Sequence, residues 1–227
     1  MIGSAPWPLS LFEEKPTLST KAMAPRFALA LFVCVGIAHA KAQTGQQTQT
    51  IVLVRHGEKP ELGLGQLTCQ GLNRALALSA VIAREFGPPA AIKAPDPSDS
   101  KLDHGKPYNY VRPLATIEPT AIAFGLPVDT TLGVSKLGAL RRALEADAYK
   151  NAFVLVAWEH TGIVKLARKL MIDFGGDSKS VPKWDSEDFD SIYVLRITRD
   201  GTTPTIAFEH KHEGLDGQPT TCPVQPH

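Results

Sequence analysis

The chain has 227 residues, 43% of them apolar, and a formal net charge of +1. That length makes one good-sized domain and hardly two, and that apolar share builds a full core and excludes wholesale disorder. The near-neutral balance, with no run of like charges, argues against a nucleic-acid binder, which would carry a basic face.

The first fifty residues stand apart. Residues 1–22 carry three prolines and no periodicity, which marks them as a non-native or disordered extension, with translation starting at Met23. From there "MAPRFALALFVCVGIAHAKAQ" has a short basic start, an apolar core from Phe27 to Ile37, and small residues at Ala38, Ala40 and Ala42. This is the pattern of a secretory signal and its cleavage site, and the apolar core is too short to persist as a membrane span. A signal peptide over 23–42 leaves a mature chain starting near Lys41 or Gln43, a folded domain over 43–212, a loose tail over 213–227, and a periplasmic or secreted location.

In "TIVLVRHGEKP", residues 50–60, Ile51 to Val54 form an apolar run of the kind buried inside a parallel sheet. It ends on Arg55, His56 and Gly57, at the strand end where open α/β sheets bind ligands; Gly57 lets the chain turn closely past one. A helix follows from about Thr68, its N-cap, with Leu72, Ala75, Leu76, Ala83 and Phe86 as its stripe, and "GPP" at 87–89 stops it. A short strand near Ala90–Ala94 leads into "PDPSDSKLDHGKPYNY", a polar, proline-rich loop long enough to suggest a functional role. "PLATIEPTAIAFG" is a helix capped by Thr116, with Pro119 in its first turn, where the missing N–H is harmless. Leu137, Leu140 and Leu144 mark another helix.

"AFVLVAW", 152–158, is a second buried-type strand, and it too ends on polar groups, Glu159 and His160. Ile163, Leu166, Ala167, Leu170, Met171 and Phe174 then recur at helical spacing, and Gly175–Gly176 ends that helix. Ile192–Ile197 and Thr205–Glu209, around Asp200–Gly201, form a terminal hairpin. His210 and His212 beyond it are expected to be solvated rather than metal ligands. The alternation of strands and helices gives the α/β class, a three-layer α/β/α arrangement with a mostly parallel central sheet.

Cys34 leaves with the signal. Cys69 and Cys222 remain as a pair in an oxidising compartment; two buried or free thiols are the expected outcome, and a disulfide tying the tail to the first helix is the alternative. No CxxC or histidine–cysteine spacing suggests zinc, and no cofactor or metal is implied. If the two interior strands are neighbours, His56 and His160 meet over one crevice. Two histidines with arginines suit a phosphoryl group: a neutral imidazole is a competent nucleophile, and guanidinium forks stabilise charge on the non-bridging oxygens. With no P-loop signature and no magnesium carboxylate cluster, a metal-free covalent route fits best.

"VLVRHGE", followed by "GQLTCQGLNRALAL", resembles the opening of the histidine phosphatase superfamily, the phosphoglycerate mutase-like proteins. "FVLVAWEHTGI" is similar to the late strand that delivers that family's second histidine, so the resemblance spans roughly residues 50–197. It implies a phosphoglycerate mutase-like fold, His56 as the nucleophile, Arg55 as a phosphate ligand and His160 completing the pocket. Where family members carry a second arginine, "RPLATIEPTA" places Thr116; Arg112, one helical turn earlier, is expected to supply that guanidinium. The glutamate many members use as proton donor has no counterpart near "VDTTLGV"; Glu58 and Glu159, next to the two histidines, are placed as substrate-binding residues and are candidates for that donor, though each could equally orient a neighbouring imidazole. Together with the signal pattern, the resemblance implies an exported phosphomonoester hydrolase acting on a small phosphorylated substrate. A phosphorylated sugar of the cell envelope or a scavenged ester suits the compartment. The alternative is a catalytically weak module that binds phosphate or an anionic sugar on the same fold.

Overall fold

Two runs of consecutive apolar residues dictate the centre of the fold. The computed structural model describes residues 45–201 and 203–224; the signal peptide expected at 23–42 and the extension before it lie outside the described residues. Ile51–Val54 sit in β1 (Gln47–Arg55) and Val154–Trp158 in β6 (Phe153–Trp158), and all are buried. The two strands are adjacent and parallel, with Arg55 opposite Trp158. On one side β2 (Ala91–Lys93) and β5 (Val128–Asp129) continue the parallel set. On the other, β7 (Ser191–Arg199) runs antiparallel to β1, and β8 (Thr205–His212) antiparallel to β7. The order is β5-β2-β6-β1-β7-β8, a mixed sheet in which β7 alone opposes the common direction.

Alternate side chains along β1 enter opposite faces. Val52 and Val54 pack with Leu78 and Ile82 of α1 (Cys69–Phe86) and Ile117 and Ala121 of α2 (Arg112–Phe124). Ile51 and Leu53 pack with Leu140 and Leu144 of α3 (Leu137–Leu144) and Ile163, Leu166 and Leu170 of α4 (His160–Asp173). Burial of each such side chain contributes roughly 1.5–3 kcal/mol, and together they clamp the sheet as the middle of three α/β/α layers. Among the described residues no helix is long and apolar enough to cross a membrane.

The start of α2 and the face of α1 differ from expectation. Thr68 caps α1, its Oγ1 accepting from the Gly71 N–H at 3.0 Å. The buried face of that helix, however, runs through Gly71, Arg74, Ala75, Leu78 and Ile82, while Leu76 is 49% exposed. Helix α2 starts at Arg112 with Val111 as its N-cap, so Pro113 and not Pro119 takes the harmless first-turn place. Thr116 lies inside the helix, donating its hydroxyl to the Arg112 carbonyl at 2.9 Å. Within the polar loop before α2 lies a hairpin, β3 (Ser100–Asp103) and β4 (Lys106–Asn109). His104 and Gly105 turn it with φ of 49° and 78°, the pair of positive values a two-residue hairpin turn needs.

β8 carries on through His210 and His212, and the tail beyond it is fastened, not loose, as far as Cys222. Cys222 forms a disulfide with Cys69 at the start of α1, in place of the two thiols expected. The Asn73 amide donates to the carbonyls of Pro219 and Thr221 at 2.8 and 2.9 Å. Arg74, fully buried on α1, pairs with Glu213 and Asp216 of the tail at 2.8 and 2.9 Å, and with Glu58 and Asp190 at 2.8 and 3.0 Å. A buried guanidinium is tolerable only when carboxylates surround it, and the tail supplies two of the four.

Candidate active site

The adjacency of β1 and β6 puts their polar ends side by side. The His56 N–H donates to the Trp158 carbonyl at 3.2 Å, carrying the ladder one residue past β1. Beyond it the chain must turn at once. Gly57 crosses the start of α1 backbone to backbone: a Cβ there would stand 2.9 Å from the Gly71 carbonyl oxygen, and one on Gly71 would stand 2.5 Å from that of Glu58. The close approach that needs glycine is therefore to α1 and not to a ligand. The Gly57 N–H donates to Thr116 Oγ1 at 2.9 Å, which pins the turn to α2 as well.

A cleft of about 210 Å³ opens at this point, lined by Arg55, His56, Arg112, Glu159 and His160, together with Lys59, Lys101, Asp103 and Tyr110. It brings together five of the six residues singled out in the sequence. Glu58 is the exception. Its carboxylate turns to Arg74, accepting from Nε at 3.1 Å and Nη2 at 2.8 Å, so it anchors the turn, and the residue lines an adjoining recess in place of this cleft.

His56 is almost fully buried, with Nδ1 2.8 Å from the Gly57 carbonyl. A carbonyl only accepts, so Nδ1 carries the proton and Nε2 keeps the ring's lone pair. Burial, reinforced by Arg55, Arg112 and His160 nearby, pushes the imidazole down to about 3, leaving it neutral at physiological pH. His160, the first residue of α4, is likewise lowered, by burial and then by Arg55. Glu159 caps that helix, one carboxylate oxygen accepting from the Gly162 N–H at 2.8 Å and the other 3.8 Å from Lys101 Nζ.

Both arginines are held rigidly. Arg55 donates through Nη1 to the carbonyls of Ser186 and Asp188 at 2.7 and 2.6 Å, and its guanidinium carbon stands 3.9 Å from the centre of the Phe189 ring. Arg112 pairs with Asp103 at the end of β3, 2.7 Å away. Burial alone would raise the Asp103 carboxyl, but bonds from Arg112 and the Gly65 N–H outweigh it and hold it below its ordinary range. The Nε of each arginine is buried without a hydrogen-bond partner among the described residues, and so is the Tyr110 hydroxyl. Three residues lining the cleft beside His56 thus each carry a buried polar atom without a hydrogen-bond partner among the described residues.

Sequence reading placed Arg55, His56, Arg112, Glu159 and His160 but missed Tyr110, Asp103, Lys101 and Phe189. The aromatic-rich "YNYVRP" leading into α2 was the available signal for Tyr110. The 185–190 loop, sandwiched between two well-marked elements, offered none for Phe189.

No protein-family model and no curated protein sequence matches the chain. Among solved structures it is similar to mycobacterial hydrolase 2, at 11% identity and a TM-score of 0.49, over 72% of this chain and 90% of that one. It is similar to a mycobacterial glucosyl-3-phosphoglycerate phosphatase in complex with inorganic phosphate, at 15% identity and 0.48, over 71% and 95%. A third is the phosphoserine phosphatase of Entamoeba histolytica, at 12% identity and 0.42, over 74% and 98%.

Proposed function

We propose that the protein is a histidine phosphatase of the phosphoglycerate mutase-like superfamily, a phosphomonoester hydrolase working through a phosphohistidine on His56. The observation that carries this reading is His56 itself: a buried neutral imidazole, its Nδ1–H fixed by a carbonyl, presenting Nε2 in a cleft with two buried guanidiniums and a second histidine. Nε2 attacks phosphorus, the ester P–O bond breaks, and the transferring group sits among Arg55, Arg112 and His160, whose donors match its non-bridging oxygens. Water then attacks the phosphohistidine, the N–P bond breaks and inorganic phosphate leaves. Glu58 is committed to Arg74 and Glu159 to capping α4, so leaving groups that depart readily as anions should react fastest. The guanidinium pair supplies the positive charge the reaction needs, which favours a metal-independent route.

An adjoining recess of about 500 Å³, reached past Lys59, has room for the rest of a small phosphorylated substrate. Export is supported by the signal pattern over 23–42 and by the Cys69–Cys222 disulfide, since such bonds persist in oxidising compartments. The second reading, a weakly catalytic phosphate-binding module, is favoured by Thr116 standing where the superfamily places an arginine. Hydrolysis of 4-nitrophenyl phosphate by the full chain, with a chelator present, separates the two. Turnover is expected, with His56→Ala losing at least ~10³-fold and Arg112→Ala ~10²–10³-fold. A wild type no faster than His56→Ala, yet still binding phosphate, would make it a binding module.

A further inference from the structure

Buried aromatic side chains with a polar atom usually find it a partner. Trp158 and Trp184 do so here, donating their indole N–H groups to the carbonyls of Val134 and Asp188 at 3.1 and 2.9 Å. Tyr110 does not. It stands between β4 and α2, fully buried, its own N–H fixed by the Asp99 carbonyl at 2.8 Å. Its hydroxyl makes no hydrogen bond of good geometry among the described residues, and its polar neighbour is the Arg112 guanidinium.

What surrounds Tyr110 is the cleft. Its ring meets the His56 imidazole edge to face, centroids 6.0 Å apart. The Arg112 guanidinium carbon lies 4.8 Å from the ring centre and Lys101 Nζ 4.9 Å. A phenylalanine would keep every one of those ring contacts, so packing explains the ring; the hydroxyl itself stands beside the Arg112 guanidinium, on the side of the cleft. Burial raises the phenol well above its ordinary value, which keeps the group as an O–H donor. Thr116 meanwhile has nothing to offer a ligand, since its hydroxyl accepts from Gly57 and donates to the Arg112 carbonyl.

We propose that the Tyr110 hydroxyl is a third donor of the phosphoryl cradle, hydrogen-bonding a non-bridging oxygen of the transferring group beside Arg55 and Arg112. The proposal rests on the phosphatase reading and adds a substrate-contacting residue to it. In this role Tyr110 holds the phosphoryl group in every step and transfers no proton.

The test is Tyr110→Phe in the full chain, which removes the hydroxyl and keeps the ring. Three readouts are needed: kcat/KM on 4-nitrophenyl phosphate and on an alkyl phosphate, the dissociation constant of orthovanadate, and Tm without ligand. The expected result is a loss of kcat/KM of about 10–100-fold, equal for the two esters, and vanadate binding weakened by about 10-fold. Tm should not fall, because the variant loses no well-formed hydrogen bond within the protein. A purely structural tyrosine would instead lower Tm, and rates and vanadate affinity within twofold of wild type would overturn the proposal. A loss much larger for the alkyl ester would also overturn it, since the hydroxyl would then be protonating the leaving oxygen. The wild-type rate judges the phosphatase reading separately: a wild type that binds vanadate without turnover refutes catalysis, while the vanadate affinity of the variant still decides Tyr110.

Discussion

Burial does two things to His56 that a nucleophile needs, and both follow from one hydrogen bond and its position. The Gly57 carbonyl fixes the tautomer, and exclusion of water pushes the imidazole down to about 3 against an ordinary value near 6.5. A free histidine would lose its lone pair to a proton over much of the mildly acidic range; this one keeps it. The expected outcome is that the His56 ring resonances in a carbon-resolved NMR titration stay at their neutral positions from pH 8 down to about 4. An acid limb of kcat/KM near pH 6 then belongs to the substrate or another group. A midpoint close to 6.5 for His56 would mean that the ring is hydrated and shares the nucleophile's proton with bulk water, and the neutral-imidazole account would fail.

At the scale of elements, the site depends on how tightly the turn after β1 crosses the start of α1. Gly57 and Gly71 face each other with no room for a methyl group on either, so Gly71→Ala has to push the His56 turn away from the helix. Overpacking of this kind costs roughly 1–3 kcal/mol, and a displacement of the nucleophile near 1 Å costs on the order of 10²-fold in rate. The expected pattern is therefore a variant that still folds, with Tm lowered modestly and kcat/KM lowered far more; equal, small effects on both would show the crossing to be slack. The glycine at 71 was legible only as part of a helix. What the sequence did show was the pair of strands, because consecutive apolar residues ending on Arg55–His56 and Glu159–His160 have few other uses. The β3–β4 hairpin was hidden for the opposite reason: "SKLDHGKPYN" is a charged, solvent-facing ribbon whose role is to hold Asp103 against Arg112, and it has no apolar periodicity to betray it. Thr116 misled for a related reason. Its side chain suits a cap, but here its hydroxyl is drawn inward by the Gly57 N–H.

Across the whole molecule, one buried arginine ties the site to the end of the chain. Arg74 gathers Glu58 from the catalytic turn, Asp190 from beside Phe189, and Glu213 and Asp216 from the tail. Asp190 in turn accepts the Gly214 and Leu215 N–H groups at 3.1 and 2.6 Å. Sequence alone offered no hint of this, since acidic residues in a terminal stretch look solvated until the arginine on the inner face of α1 is known. Four carboxylates around one guanidinium leave an excess of negative charge, and Glu213 is the most buried of them. Burial, opposed by Arg74 and aided by Asp190 and Glu58, pushes its carboxyl up to about 8 from an ordinary 4.5. With the folded value above the unfolded one, the stability this proton contributes is fully present below about 4.5 and is lost as pH rises toward 8, at roughly 1.4 kcal/mol per pH unit. His56 has the opposite sign: its folded value is depressed, so its contribution is present above 6.5 and lost as pH falls toward 3. Above 6.5 the Glu213 slope acts without that opposition. Glu213→Gln keeps a neutral side chain at every pH and removes the slope. Urea unfolding of both proteins at pH 5 and pH 7.5 should show the variant gaining on wild type by about 2–3 kcal/mol between the two. A difference that does not change with pH would mean Glu213 is already ionised in the folded protein, with Arg74 balancing it before the other three carboxylates.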